Sequence, residues 1–443
     1  MSKRRRRSKP VSTVPVSAQV TALSHDGRGI ASIQGKTTFI EGALPGETVV
    51  FQYLNQRSRF DEGQVIEITS PSPDRVVPLC QHFSICGGCS LQHMSSEAQL
   101  RMKEAMLVEQ LQHFGGLKAD KILPPLTGPV WGYRHKARLG VKFVNKKGAL
   151  LVGFREKNGR YLADLKQCEV LHPKVGLLIE DLKKLITGLQ GYEIIPQIEV
   201  AIGDSLTALV FRHLQPLSDS DQSQLSVFAQ QHDVQIYLQP GGTDSIHPLW
   251  PVEPVSLSYT LPEHQLEFLF HPTDFIQINV DLNRQMVNHV LALLDPLPTD
   301  RILDLFCGLG NFTLPLAQRS AHVVGVEGDP AMVERAYANA QHNKIQNVDF
   351  HAANLQQDPQ NMSWAQQRFD KILLDPPRTG ALEFIPYLPA FGARRIVYVS
   401  CNPATLARDA KELGQLGYRL TQAGIMDMFP HTSHVESVAV FVR

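Results

Sequence analysis

Cys401 stands in Val397-Tyr398-Val399-Ser400-Cys401-Asn402-Pro403-Ala404-Thr405, an apolar β-type run followed at once by residues that start a helix. A thiol at such a junction lies beside unpaired helix-terminal amides, which favour the thiolate and therefore a nucleophile. Four other cysteines have a different texture. Cys80-x5-Cys86-x2-Cys89 is closely spaced, Gly87-Gly88 lets the intervening loop fold tightly, and Cys168 supplies a distant fourth thiol. Four thiolates suit an iron–sulfur cluster or a zinc ion, and spacing alone does not separate the two. The sixth cysteine, Cys307, sits in a glycine turn and reads as packing. His431 and His434 are close enough in sequence for a metal pair, but loop histidines are more often hydrogen-bonded structure.

A second group of residues reads as a cofactor site. The run Asp304-Leu305-Phe306-Cys307-Gly308-Leu309-Gly310-Asn311-Phe312 ends a strand in a glycine turn, which allows close approach to the backbone. A full dinucleotide fingerprint carries a third glycine, and here that position is Thr313. S-adenosylmethionine has no pyrophosphate to cradle, so the pattern favours it over NAD. Glu327 ends the next strand, where a carboxylate accepts hydrogen bonds from ribose hydroxyls. Asn354 follows the third strand and suits the adenine edge, and Asp375-Pro376-Pro377-Arg378 follows the fourth.

These residues need a scaffold that gathers strand ends. Segments 301–306, 322–327, 348–352, 371–374 and 395–400 read as short buried strands, separated by helical segments such as 331–343 and 405–416, with a helix at 283–294 ahead of them. That is a doubly wound α/β sheet, whose ligands bind beyond the carboxyl ends of its strands. Upstream, 14–69 alternates β-rich runs with turns and reads as a small antiparallel barrel, OB-like and either RNA-binding, with Arg57 and Arg59, or a plain packing domain. Ser70-Pro71-Ser72-Pro73 closes it. Ser96 and Gln99 form a capping box for a helix over 97–114, stopped by Gly115-Gly116. Over 131–161, aromatic and basic residues interleave, from Trp131, Tyr133, Arg134, Lys136 and Arg138 to Arg160 and Tyr161. This is either an RNA surface or the solvated face of a sheet turning at Asn145-Lys146-Lys147-Gly148.

The expected domains are 12–70, 71–270 and 271–443, which suits 443 residues. With 43 basic and 43 acidic side chains, net charge gives no argument for nucleic acid. The basic run Lys3-Arg4-Arg5-Arg6-Arg7 could touch phosphates or simply be solvated. No apolar run reaches the roughly 18 residues of a membrane span, no secretory signal follows the basic start, and a cytoplasmic protein is expected.

Asp375-Pro376-Pro377-Arg378, Ser400-Cys401-Asn402-Pro403 and His434-Val435-Glu436 together resemble the RNA uracil-5 methyltransferase family, in order and placement across the catalytic half. The resemblance implies a Rossmann-like methyltransferase domain, with Cys401 as nucleophile and Glu436 as base. It further implies S-adenosylmethionine contacts from Gln277, Phe306, Asn311, Glu327, Asn354 and Asp375, with Asp375 also facing the uracil. The cysteine arrangement and the N-terminal barrel, called a TRAM domain, are similar to the branch acting on large-subunit (23S) ribosomal RNA. That branch carries a [4Fe-4S] cluster, here implied on Cys80, Cys86, Cys89 and Cys168, with a central α+β RNA-binding domain around it. No protein partner is implied.

Three rivals remain on sequence grounds. A transfer RNA uracil-5 methyltransferase typically lacks the barrel and the cysteine group. A radical enzyme with a cluster and S-adenosylmethionine needs Cys-x3-Cys-x2-Cys, a different spacing. A non-catalytic RNA-binding protein needs neither Cys401 nor Glu436.

Overall fold

The structure is a computed structural model that describes residues 12–157 and 159–443; the basic run at 3–7 lies outside them. The chain divides into two compact units. One holds the described residues up to Phe83 together with Cys89–Met102 and His431–His434, and the other holds Ser84–Gly88, Lys103–Pro430 and Val435–Arg443.

In the first unit, six strands from Val16–Gln19 to Phe60–Ser70 form one sheet. Alternate residues Ala18, Val20, Ile40, Val49 and Phe51 turn inward to its core, the period of two that a half-buried strand requires. The expected all-antiparallel pattern holds except at one ladder, where Lys36–Glu41 runs parallel to Phe60–Ser70. The following helix is Ser96–His113, and its start differs from the expected capping box. The Ser95 hydroxyl accepts from Ala98 N at 3.3 Å. The Gln99 amide instead donates to the carbonyls of Leu91 and Met94 and accepts from His431 N. Two carbonyls and an amide inside a buried turn hold the glutamine more firmly than one exposed backbone amide would.

The second unit contains two large sheets. The central one has six strands in the order His247–Trp250, Gln235–Gln239, Thr207–Arg212, Gln197–Ile202, Lys136–Val144, Ala149–Gly153. Helices Ile179–Gly188 and Asp219–His232 cover one face through Leu182, Ile186, Leu225 and Phe228. On the other face Ala201, Ala208, Val210 and Tyr237 join the core of the hairpin Leu257–Leu261/Leu266–Phe270.

The other sheet runs Val348–Ala352, His322–Glu327, Arg301–Leu305, Lys371–Leu374, Arg395–Ser400, Glu436–Val442, Arg419–Met426, Lys121–Ile122. Its first five strands are mutually parallel; the inner four are almost wholly buried, as helices on both faces dictate, whereas edge strand Val348–Ala352 buries only Val348 and Phe350. This is the expected doubly wound α/β arrangement. Glu436–Val442 then enters antiparallel to Arg395–Ser400, so its first residue lies at the carboxyl end of its neighbour. Helix Val280–Leu294 begins earlier than expected because Asn279, fully buried, caps it by accepting from Leu282 N.

Candidate active site

Strand register brings Cys401 and Glu436 together. Ser400 pairs with Ser437, and the Ser437 hydroxyl donates to Ser400 O at 3.1 Å. One step beyond that pair lie Cys401 and Glu436. Ser400 ends the strand, and its hydroxyl accepts from Asn402 N. Asn402 caps helix Pro403–Gln415 by accepting from Ala404 N. Its amide also donates to Arg378 O at 3.1 Å, which ties the Asp375-Pro-Pro-Arg378 loop to the cysteine turn. Buried Asp409 completes the tie by accepting from Tyr398 Oη and Ala381 N, both at 2.7 Å.

The electrostatics of this corner overturn one expectation. Cys401 was expected to be held as a thiolate by helix amides, yet its thiol is pushed up to about 11. Burial is the largest cause, the Glu436 and Asp375 carboxyls add to it, and Arg378 opposes them. Asn402, not Cys401, occupies the helix cap, so the amides serve the asparagine. Glu436 is only 4% exposed, and burial followed by Asp375 raises its carboxyl far above the ordinary range, again against Arg378. Asp375 is raised to about 7 by burial and by Glu327. Arg378 is the cation whose charge opposes burial at both Cys401 and Glu436.

The glycine turn lies on the neighbouring strands. Phe306, Gly308 and Gly310 all have left-handed φ, at 66°, 56° and 94°; for Phe306 that is a strained conformation of the kind that clusters at functional sites. Backbone bonds from Phe306 N and Cys307 N to Val326 O hold it. A Cβ built at Gly308 would meet nothing closer than Met332 Cε at 3.9 Å, so the turn faces open space. The Glu327 carboxylate accepts from Gly308 N, Gly328 N and Asp329 N, which leaves about one of its four acceptor directions. Exposed Asn354 sits in the loop after Val348–Ala352 and accepts from Gln356 N. Cys307 is buried in the core as expected. A turn open to a ligand, flanked by a carboxylate and an exposed amide at adjacent strand ends, fits S-adenosylmethionine.

Other residues escaped the sequence reading. Thr313, which stands in place of a third glycine, donates to fully buried Asp304 at 2.6 Å. Burial raises the Asp304 carboxyl to about 7 despite that bond. Asn311 does not turn its side chain freely toward a ligand. Its carbonyl accepts from Tyr259 Oη and Asn283 Nδ2, and its amide donates back to Asn283, each at 2.9 Å. A polar residue inside the apolar face of helix Val280–Leu294 was the available signal for Asn283. Gln277 lies six residues before it, in the loop 271–279. That loop is held by Lys136 Nζ on Pro272 O, His135 N on Ile278 O, and Arg335 on Asp274 at 2.9 Å.

The interleaved segment 131–161 is mostly structural at its start. Tyr133 is buried and bonds Pro430 O, Arg134 turns to Lys136 O, and Phe143 packs on Tyr192. Arg138, Lys142, Lys146, Lys147, Arg160 and Tyr161 are exposed.

Of the four candidate metal thiols, Cys86 and Cys168 belong to the second unit and Cys80 and Cys89 to the first. Cys86 Sγ accepts from Gly88 N at 3.4 Å. Cys168 receives the amides of Leu171 and Val170 and feels the charge of Cys86, while burial raises both thiols. Backbone amides aimed at sulfur fit metal-bound thiolates, which need such donors around them. Among the described residues, no group of three or more His, Cys, Asp or Glu stands ready to hold a metal ion. None of the described helices is long and apolar enough to cross a membrane.

Comparison with known proteins decides the family. The tRNA (Uracil-5-)-methyltransferase family pattern matches residues 252–443, and the TRAM domain pattern matches residues 7–52. The 23S rRNA (uracil(1939)-C(5))-methyltransferase of Alcanivorax borkumensis is 56% identical, over 99% of both chains. The chain belongs to the RNA uracil-C5 methyltransferase family. It is thus an enzyme dependent on S-adenosylmethionine. The Nitrosococcus oceani protein of the same name is 55% identical over 98% of this chain and 97% of its own. In fold, the chain is similar to the Pyrococcus abyssi tRNA (uracil-54, C5)-methyltransferase solved with S-adenosyl-L-homocysteine, with a TM-score of 0.74 at 24% identity, over 96% of this chain and all of that one.

Proposed function

We propose that this methyltransferase acts on C5 of one uridine in 23S ribosomal RNA, the uridine named for its relatives, through a covalent bond between Cys401 and C6. The observation that carries the chemistry is the pairing of Ser400 with Ser437, which sets Cys401 beside Glu436 with Asp375 and Arg378 in electrostatic reach. The substrate rests on relatives that match along nearly the whole chain.

Uracil C5 is a poor nucleophile, so the ring needs activation. Cys401, as thiolate, bonds C6, and the electrons of the C5–C6 double bond move toward C5 and O4. S-adenosylmethionine supplies the methyl group that C5 then receives. Glu436, as carboxylate, takes the proton from C5; the double bond re-forms and the sulfur leaves C6 as thiolate. Burial disfavours the charged form of both groups, so each gives up its proton to solvent before it reacts, and Arg378 is the residue that favours those charged forms. Phe306, Glu327, Asn354 and Asp375 line the methyl-donor site, Gln277 meets it from the loop 271–279, and Asn311 supports it through its backbone turn.

Cys80, Cys86, Cys89 and Cys168 hold a [4Fe-4S] cluster in this reading, with zinc as the alternative metal. No redox step enters the methylation, so the cluster shapes the protein. Such a substrate places the enzyme in the cytoplasm. The test offers purified enzyme and labelled cofactor to unmodified 23S rRNA and to tRNA, then maps the methylated position. Methylation of tRNA alone overturns the substrate.

A further inference from the structure

One face of the central sheet changes character along its length. Ladder register puts Arg138, Glu199, Val210 and Tyr237 in one row, with Gln197, Arg212 and Gln239 in the next row toward one end and Ala201 and Ala208 toward the other. The alanine end is buried in the core under the hairpin. At the other end the cover stops, and Arg138, Gln197, Glu199, Arg212, Gln239, Thr243 and Thr273 line a pocket of about 140 Å³. Glu199 bonds Arg138 at 3.3 Å. Among the described residues no side-chain hydrogen bond or ion pair engages Gln197, Arg212, Gln239 or Thr273, although Gln239 is only 8% exposed.

Gln197, Arg212 and Gln239 therefore turn donors and acceptors into the pocket that no protein side chain uses, so they are available to a ligand that enters it. A plain solvated sheet face would leave its glutamine exposed. The pocket is also tied to the chemistry. Thr273 belongs to the loop that carries Gln277, and the Lys136 bond to Pro272 O and the Arg335 bond to Asp274 fix it from both sides.

We infer that this pocket holds one unpaired nucleotide of the substrate RNA, next to the target uridine. Two guanidinium groups against one carboxylate leave the positive excess that a phosphate needs. Gln197 and Gln239 offer paired donors and acceptors to a base edge, and unpaired bases are what proteins read in RNA. The volume suits one base and excludes a helix, which is about 10–12 Å across. The inference rests on the RNA methyltransferase reading and adds a specificity site to it.

Arg212→Ala and Gln197→Ala, made in the full enzyme, test it with a 23S rRNA fragment bearing the target uridine. Each variant should raise KM for RNA about 10-fold, with KM for S-adenosylmethionine, kcat at saturating RNA and Tm unchanged. Fragments made abasic at single unpaired positions near the target should include one whose loss equals that of Arg212→Ala and does not add to it. Unchanged RNA KM overturns the pocket, as do losses that add at every position, or a loss that is uniform across RNA sequences and vanishes at high salt. If the wild-type enzyme methylates no 23S rRNA, the substrate reading fails on its own, and the same variants are measured on whichever RNA the enzyme does methylate.

Discussion

Asn283 and Asn311 exchange two side-chain amide hydrogen bonds, each of 2.9 Å, and the Tyr259 hydroxyl adds a third to the Asn311 carbonyl. Asn283 is buried on helix Val280–Leu294, so the helix that follows the Gln277 loop grips the glycine turn directly. Asn283→Ala strands the amide donor of half-buried Asn311, whose carbonyl keeps the Tyr259 hydroxyl, at about 1–3 kcal/mol. The expected result is a KM for S-adenosylmethionine raised about 10-fold, from about half of that cost, with a small change in kcat. Steady-state kinetics and a melting curve check it; a lower Tm with unchanged cofactor KM would reduce the pair to a purely structural role.

The placement of Cys401 and Glu436 separates two chemical roles. Cys401→Ala removes the bond to C6 and should abolish both turnover and the slow-migrating adduct with 5-fluorouridine RNA on a denaturing gel. Glu436→Gln leaves the thiol but removes the base, so an adduct with ordinary RNA should accumulate while turnover falls about 10²–10⁴-fold. A Glu436→Gln enzyme that turns over at the wild-type rate would exclude the base assignment.

Much of this site was legible in the sequence, because buried parallel strands are short apolar runs and their ends carry the chemistry. Strands His322–Glu327, Lys371–Leu374 and Arg395–Ser400 lie where the apolar runs place them. The charge state of Cys401 was not legible. It depends on Glu436 and Asp375, which are distant in sequence and meet only through register and loop packing. Asn283 and Thr313 were equally silent, since their partners Asn311 and Asp304 lie on other elements. The ring residues of 131–161 read equally as an RNA surface or as the solvated face of a sheet, because interleaving alone does not tell which rings are buried.

Cys86 and Cys168 each sit under backbone amides. If they hold part of an iron–sulfur cluster, Cys168→Ser should lower bound iron and acid-labile sulfide and bleach the broad visible absorption of the purified protein. Zinc with no iron, measured by elemental analysis on protein purified without oxygen, would replace the cluster by a zinc site.

Asp304 gives the stability a pH dependence with a definite sign. Unfolded, its carboxyl ionises near 3.8; folded, burial raises it to about 7. Its contribution is fully present below 3.8 and is lost as pH rises to about 7, since the unfolded chain releases a proton that the folded one retains. The slope is about 1.4 kcal/mol per pH unit in that window. Asp304→Asn keeps an acceptor for Thr313 and removes the titration. Its Tm relative to wild type should therefore be higher at pH 8 than at pH 4, and an offset independent of pH would contradict the assignment.

Lys103 on helix Ser96–His113 and Asp427 form a buried ion pair at 2.6 Å, with side chains 1% and 6% exposed, and Lys103 Nζ also donates to Phe429 O at 3.0 Å. Burial lowers the lysine pKa in spite of the aspartate, so desolvation outweighs the attraction. Removing one partner leaves a buried charge, and Lys103→Met should cost about 3–5 kcal/mol in chemical denaturation. Replacing both partners with apolar residues removes the stranded charge. The Lys103→Met, Asp427→Leu double variant should therefore recover most of the loss, less the small contribution of the Phe429 carbonyl bond. A double variant as unstable as the single one would show that the pair acts through packing of the lysine stem rather than through charge.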